Sequence, residues 1–364
     1  MEVKKEYEIV LGLIRVALGH PNECFLQQGT NWVEVMDIAS KQGVIGICFD
    51  AFDLIRQNLA PNCMPDRDTL LNWVGQVLYM ESRYDEHRKA IGELAHFYDG
   101  QGIKLMVMKG YGLSLNYPKP EHRPMGDVDS YNFGLQEAAD QMMCDELGIV
   151  IDNSHHRHSV FVFHGVTVEN HYNFIDDCAH WSNKRFETLL KAEVDMDCEV
   201  VEVDGQMVYL PSARFNSLFL LKHCAGHFAA TEMTLRQLLD WLLFVRKYHN
   251  KVDWSSVYGI YRNENLDKYA NTLNAIGVKY LGFERSIFYE VSNNDELTAR
   301  VLNDILAPEF AEKEDGTLLR GLCVKPRRWW HNRWKHKICY PDNLFVDFCL
   351  NLYSKILKPA HIRF

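Results

Sequence analysis

Two carboxylates separated by a single residue, Asp127 and Asp129, are the side chains in this sequence whose type and spacing most clearly suggest chemistry. On a β-strand, side chains alternate between faces, so both carboxylates would point the same way and Val128 would point into the opposite layer. Adjacent negative charges repel unless a cation lies between them, and Mg²⁺ is a hard cation that takes oxygen ligands. The spacing therefore predicts a magnesium site, with a turn or a solvated strand edge as the structural alternative.

A third carboxylate, Glu169, completes the set that a two-metal site needs. The β-branched and aromatic runs at 159–164 and 166–171 flank His164-Gly165, which predicts a hairpin with Glu169 on its second strand. A carboxylate on a neighbouring strand can reach the same ions, and two such ions lie about 3.5–4 Å apart. We therefore predict that Asp127, Asp129 and Glu169 together hold two Mg²⁺ ions.

The segment upstream of the aspartates has the composition of a phosphate-binding loop. The short apolar run at 105–108 predicts a buried strand that ends at Lys109-Gly110. Glycine allows the backbone to approach a phosphate closely, and the lysine supplies a cation. Gly112, Pro118 and Pro124 then interrupt any regular structure before the aspartates.

The order of these residues resembles the polymerase-β-type nucleotidyltransferase superfamily, and it is similar to its bacterial branch of uncharacterised nucleotidyltransferases. The resemblance is densest over residues 100–245. Its matching positions are Lys109, Gly110, Tyr117, Pro118, Arg123, Gly126, Asp127, Asp129, Glu169, His171, His223, His227, Arg236 and Asp240.

The resemblance implies an enzyme that transfers a nucleoside monophosphate from a nucleoside triphosphate, ATP or another, to an acceptor hydroxyl. The two Mg²⁺ ions would orient the triphosphate, and the acceptor oxygen would attack the α-phosphorus and expel pyrophosphate. Lys109 and Arg123 are the expected phosphate ligands, and Gly110, Ser114 and Gly126 are the expected loop positions. The superfamily usually has Gly or Ser directly after the first glycine, whereas Tyr111 stands there in this chain.

Several histidines are candidates for the substrate cleft or for structure. His171 follows Glu169 by two residues, and His223 and His227 share one face of a predicted helix. The pair at 223 and 227 lacks the adjacent glutamate of a zinc protease, so it either packs internally or lines the cleft. The tract at 155–158, His-His-Arg-His, is either a metal-binding tract or a solvated loop. Arg236 and Asp240, four residues apart, are expected to pair structurally.

These motifs fall in the middle of an α+β chain. We predict a helical N-terminal part (1–98), a small mixed-sheet nucleotidyltransferase core (99–210) and a helical C-terminal part (211–364). Strands are expected at 105–108, 128–133, 159–164, 166–171 and 206–210. Helices are expected at 69–98 and 135–147, and two more at 215–248 with a break near residue 230.

Composition limits the possible partners. The formal net charge of −10 over 364 residues argues against a general nucleic-acid binder. The ten cysteines are scattered singly, which argues for a reducing, cytoplasmic setting, and no apolar run is long enough to cross a membrane. One basic, tryptophan-rich segment, which begins at Lys325 and ends at Lys337, fits RNA, an anionic surface, or a helix that buries its tryptophans.

Two other functions remain open at this point. One is a catalytically silent protein that keeps the fold and binds a nucleotide or a partner. The other is an RNA-directed nucleotidyltransferase that recruits its substrate through the segment at 325–337. The acceptor and the preferred nucleotide are not specified by any motif, because one fold can present the same reaction centre to many acceptors.

Overall fold

The computed structural model describes residues 4–20, 26, 28–176, 180–310 and 318–346, and it describes their side chains except at 318–326. The N-terminal part is helical, as predicted. Asp66 caps the long fourth helix by accepting a hydrogen bond from the Thr69 amide. The helices are α1 (Lys5–Ala17), α2 (Trp32–Lys41), α3 (Ile45–Ile55) and α4 (Arg67–Asp99).

A mixed six-stranded sheet forms the centre of the described chain. The strands are β1 (Met106–Val107), β2 (Val128–Tyr131), β3 (His158–Phe163), β4 (Val166–His171), β5 (Glu199–Val203) and β6 (Gln206–Leu210). Their spatial order is β3-β4-β2-β1-β6-β5. The β2–β4 and β1–β6 pairs are parallel, and the other pairs are antiparallel. The helices among the strands are α5 (Lys109–Ser114), α6 (Gln136–Leu147) and α7 (Trp181–Glu193).

The predicted hairpin is present as β3 and β4. His164 and Gly165 both have positive φ angles, +48° and +80°, which is the conformation of a two-residue turn that matches the twist of the flanking strands. This turn fixes the register, so that Phe163 pairs with Val166 and His158 pairs with His171. The turn therefore decides which side chains of the two strands face each other.

The C-terminal part is helical, and the predicted break near residue 230 is confirmed. Ser212 caps α8, and a capping box of Thr234 and Gln237 begins α9. The helices are α8 (Ala213–Ala230), α9 (Leu235–Tyr248), α10 (Trp254–Asn263), α11 (Asp267–Leu281), α12 (Asp295–Leu306) and α13 (Leu318–Cys339). No helix in the described ranges combines the length and the apolarity needed to cross a bilayer.

The two faces of the sheet are covered by different apolar layers. On one face, Val128 and Val168 pack with α4 and α6 in one apolar cluster. The other cluster is larger, and it joins apolar residues of α1–α3 to those of α8–α12. The N- and C-terminal helices thus share one core, while the division of the chain into three parts stays a prediction.

Three elements were absent from the sequence prediction, namely α5, β5 and α7. β5 carries Glu199 and Glu202 among its valines, and the run before it holds Asp195 and Asp197, so this region has the charge of a solvated loop. β5 lies at the edge of the sheet, where its charged side chains reach water.

Candidate functional site

Parallel pairing of β2 and β4 brings the three predicted carboxylates to one face of the sheet. Asp129 and Glu169 are direct neighbours in the register, and in-register neighbours point to the same face. Asp127 lies two residues before Asp129, just ahead of β2. The alternation also sends Val128 and Val168 into the opposite apolar layer, as the Asp-Val-Asp spacing predicts.

Asp129 is buried and is already paired with a lysine and a histidine of the chain. Lys109 Nζ lies 2.6 Å and His171 Nε2 lies 2.9 Å from its Oδ1 atom. Burial alone would raise the pKa of Asp129, but Lys109 and His171 hold it well below its usual range. Antiparallel pairing of β1 with β2 places Lys109 here, because the Met108 amide donates to the Asp129 carbonyl.

Asp127 lacks such compensation. It is half-buried and has no ion-pair partner within 4.0 Å among the described residues. Burial, followed by the charges of Asp129 and Glu169, raises the pKa of Asp127. Gly110 lies against its backbone with a φ of +21°, and a Cβ there would stand 3.4 Å from the Asp127 carbonyl oxygen. The loop glycine therefore lies against the backbone of Asp127.

Two histidines border Glu169 on the same face. His171 Nε2 lies 3.4 Å from Glu169 Oε2, and His158 Nε2 lies 3.6 Å from Oε1. The hydrogen bond from His171 is the main reason that the pKa of Glu169 falls. Burial and the neighbouring His171 lower the pKa of His158 to about 4.

His158 was not predicted as a site residue. The tract at 155–158 suggested either a metal-binding tract or a solvated loop, and only its last histidine enters the sheet. The signal was available, because counting outward from the His164-Gly165 turn pairs His158 with His171.

The structure places His223 and His227 on α8 near the carboxylate face. Their rings lie 4.6 Å apart, and Lys109 Nζ lies 5.7 Å from the centre of the Phe219 ring, one turn before His223. Burial first, and then Lys109, lower the pKa of His223 and of His227. The lowered pKa of each histidine favours its neutral form, and a role of the pair in the substrate cleft stays a prediction.

Two arginines near the carboxylate face of the sheet have no carboxylate within 4.0 Å among the described residues. Neither arginine was predicted to bind substrate. Arg236 on α9 lies beside the loop before Asp127, with Nη1 3.5 Å from the Pro124 carbonyl. Arg157 precedes β3, and its charge lowers the pKa of His158 and of both helical histidines. Each of these two positions therefore leaves a guanidinium available to an anion.

Arg123 has a different use from the predicted one. Its Nε and Nη2 atoms donate to the two carboxylate oxygens of Asp240, at 2.8 and 2.9 Å, and Tyr117 donates to the same carboxylate. The side chain is buried, so its fork is committed to an internal pair and not to a phosphate. Asp240 accordingly pairs with Arg123, and the expected pairing with Arg236 is wrong.

The two remaining predicted loop positions, Ser114 and Gly126, form hydrogen bonds with other residues of the protein. Ser114 is fully buried and donates to the Tyr111 carbonyl at 2.6 Å, which corrects its expected role as a substitute loop serine. Gly126 is exposed, and its carbonyl lies 2.8 Å from His87 Nε2 on α4. The loop before Asp127 is thus anchored to α4 and α9.

Part of the basic segment at 325–337 packs against the hydrophobic core. Lys335 is buried and pairs with Asp304 at 2.5 Å, and Trp334 packs on Phe228 of α8. Trp330 is 61% exposed, with Arg333 stacked over its ring. The helix therefore packs one half-buried tryptophan against the core, which matches the expected tryptophan-burying alternative only in part. Binding of RNA or of an anionic surface stays a prediction.

Comparisons with known proteins identify a family. A model of the family described as "Uncharacterised nucleotidyltransferase" matches residues 28–272. Among solved structures, an antigenic nucleotidyltransferase-like protein from Paracoccidioides brasiliensis is 13% identical, with 49% of this chain and 88% of that chain covered and a TM-score of 0.32. A TM-score of this size carries no functional inference. No curated protein matches the chain.

Proposed function

The chain belongs to the family of uncharacterised nucleotidyltransferases, and from that premise we propose that it transfers a nucleoside monophosphate from a nucleoside triphosphate to an acceptor hydroxyl. The observation that carries the proposal is the register pairing of Asp129 with Glu169, with Asp127 two residues away on the same face. Three oxygen-donor side chains from two strands converge there beside cations suited to phosphate.

The donor set fits Mg²⁺, the ion that the family implies. The three groups are carboxylates, which are the ligands this ion prefers, and Asp127 has a raised pKa and no ion-pair partner among the described residues. Asp127, Asp129 and Glu169 would hold up to two ions. When bound, Mg²⁺ neutralises the triphosphate and stabilises the charge on the attacking and leaving oxygens.

The chain's own residues would bind and orient the substrates. Lys109, Arg157 and Arg236 supply positive charge for the triphosphate, and the Lys109-Gly110 backbone lies next to Asp127. The acceptor oxygen forms a bond to the α-phosphorus as the bond to the β-phosphate oxygen breaks, and pyrophosphate leaves. Glu169 takes the proton of the acceptor hydroxyl and passes it to solvent. Catalysis in such transfers comes mainly from positioning and charge neutralisation.

One observation favours a second candidate, a silent binding protein with the same fold. Lys109 forms an ion pair with Asp129 and His171 forms a hydrogen bond with it, so the buried carboxylate does not need a metal ion to be stable. Such a protein would bind a nucleoside triphosphate without transferring any part of it.

A labelling experiment separates the two candidates. The full chain is incubated with Mg²⁺, a cell extract and each of the four nucleoside triphosphates carrying label on the α-phosphate. Transfer predicts label in a discrete acceptor with matching pyrophosphate release. Binding of a triphosphate by calorimetry, with no labelled acceptor from any of the four, would establish the silent alternative and reject the enzyme.

A further inference from the structure

His158, Glu169 and His171 form a cluster whose donor atoms differ in kind from those of the aspartates. The two histidines are directly paired across β3 and β4, and Glu169 lies on the same face between them. One ligand atom from each of the three side chains lies within 4.8 Å of the others. The glutamate oxygens are 3.6 and 3.4 Å from the two Nε2 atoms.

These separations suit a single metal ion. Zinc binds nitrogen and oxygen ligands at roughly 2.0–2.2 Å, which places neighbouring ligand atoms of a tetrahedral site about 3.4 Å apart. The three side chains come from two adjacent, hydrogen-bonded strands, so their positions are set by a rigid element and not by a loop. Only small side-chain adjustments are needed to bring all three donors to one ion.

The contacts of the Nδ1 atoms of His158 and His171 agree with a role of both histidines as metal ligands through Nε2. His171 Nδ1 lies 3.0 Å from the Asn173 carbonyl, and a hydrogen bond donated there leaves Nε2 as the atom that faces Glu169 and Asp129. A ring nitrogen held in this way by a carbonyl is typical of metal-binding histidines. The His158 ring is buried, and its Nδ1 atom has no hydrogen-bond partner among the described residues. Glu169 is the carboxylate neighbour of His158, and the His155 ring stacks on the His158 ring with the ring centres 5.0 Å apart.

We propose that a divalent first-row transition metal ion such as Zn²⁺ binds to His158, Glu169 and His171. This site is adjacent to the Asp127 and Asp129 carboxylates. Imidazole nitrogens favour such ions, whereas Mg²⁺ favours oxygen ligands. The metal takes the position of a proton at His171 Nε2, and that proton is released to solvent. The inference shares Glu169 with the proposed transfer site, but it does not require nucleotide transfer.

The test measures binding of the metal alone to the full chain. Chelator-treated protein is titrated with Zn²⁺ by calorimetry in the presence of excess Mg²⁺, and Co²⁺ is added separately to record its visible absorption. We expect one Zn²⁺ per chain at this site, an absorption band indicating nitrogen ligands, and at least a tenfold loss of Zn²⁺ affinity in His158→Ala.

The control is His156→Ala, which removes an exposed histidine of the same tract and is expected to bind Zn²⁺ like the native chain. His158→Asn is the second variant, and it decides the question if His158→Ala does not fold. Asp127→Asn should keep Zn²⁺ binding, so that a failure of nucleotide transfer leaves this result intact. Absence of Zn²⁺ binding, or equal binding by the His158 variants, overturns the inference.

Discussion

Asp127 and Asp129 are close in sequence and differ sharply in environment. Lys109 and His171 satisfy Asp129, whereas Asp127 has its pKa raised by burial and by its acidic neighbours. This difference suggests separate roles, in which Asp129 fixes the local geometry and Asp127 is the open carboxylate. A shifted pKa is common among functional residues. Here the shifted pKa values belong to carboxylates that share one face of the sheet.

Arg236 should bind the triphosphate. A charge-assisted hydrogen bond contributes on the order of 1.5–3 kcal/mol, and each 1.4 kcal/mol corresponds to about a tenfold change in affinity. Arg236→Ala is therefore expected to weaken triphosphate binding about tenfold or more, measured by calorimetry. Arg56→Ala, at an exposed arginine paired with Asp53, should leave affinity unchanged. Equal affinity in Arg236→Ala and the native chain would exclude this role.

The sequence predicted the carboxylates better than their partners. Alternation on a strand is a local rule, so Asp127 and Asp129 could be placed on one face from their spacing alone. The partner of Arg123 could not be deduced, because Asp240 lies 117 residues away on α9. Helical spacing favoured Arg236 as the partner of Asp240, but tertiary packing decided for Arg123.

At the scale of elements, the loop before Asp127 is attached to the helices around it. His122 joins this loop to α3 and α4, with Nδ1 2.9 Å from Asp50 and Nε2 3.0 Å from Glu81. Lys119 also contacts Asp50, at 2.7 Å. Burial would lower the pKa of His122, but the hydrogen bonds with the two carboxylates raise it above its ordinary value.

The raised pKa of His122 predicts a pH-dependent contribution to stability. A group whose pKa is higher in the folded than in the unfolded state stabilises the folded protein. This contribution is complete when the pH is below the unfolded pKa, near 6.5 for histidine, and it is lost as the pH rises through the folded pKa. The stability difference between the native chain and His122→Gln should therefore be larger at pH 6 than at pH 9, measured by denaturant unfolding.

The control for this prediction is His96→Gln, which changes an exposed histidine on α4. It should shift stability little at either pH. A His122→Gln difference that stays constant from pH 6 to pH 9 would show that folding does not shift the pKa of His122, which would contradict the raised pKa.

The fold was predicted where patterns are local. The His164-Gly165 turn, the helix ended by Gly148 and the break between α8 and α9 all have short-range signals. β5 was missed because its glutamates belong to an exposed edge, and edge position depends on the order of strands in the sheet. The same order pairs β2 with β4, a contact between segments about forty residues apart that no local pattern specifies.

At the scale of the whole molecule, a buried ion pair connects the C-terminal helices to the loop before Asp127. Arg123 and Asp240 are both buried and bidentate. Removing one partner of such a pair leaves an uncompensated charge and costs about 3–5 kcal/mol, whereas replacing both partners is often close to neutral. The pair therefore enforces the arrangement of loop and helix more than it adds net stability.

Arg123→Met should accordingly lower the free energy of unfolding by about 3–5 kcal/mol. The double variant Arg123→Met/Asp240→Leu should recover most of that loss, since the Tyr117 hydroxyl keeps the Arg236 carbonyl as a neighbour at 3.4 Å. Denaturant unfolding of both variants measures this. Lys41→Ala, which breaks the exposed pair with Asp37, should cost no more than about 1 kcal/mol. A double variant as unstable as Arg123→Met would contradict the interpretation.

The most direct test of the proposed site is the isosteric change Asp127→Asn, which removes one charge and keeps the shape. Nucleotide transfer and pyrophosphate release with Mg²⁺ should fall to background. The melting temperature should stay equal or rise, because the change removes the repulsion between Asp127 and the neighbouring carboxylates Asp129 and Glu169. Glu137→Gln, at an exposed carboxylate on α6, should transfer at the native rate. Native turnover in a correctly folded Asp127→Asn would contradict the carboxylate site.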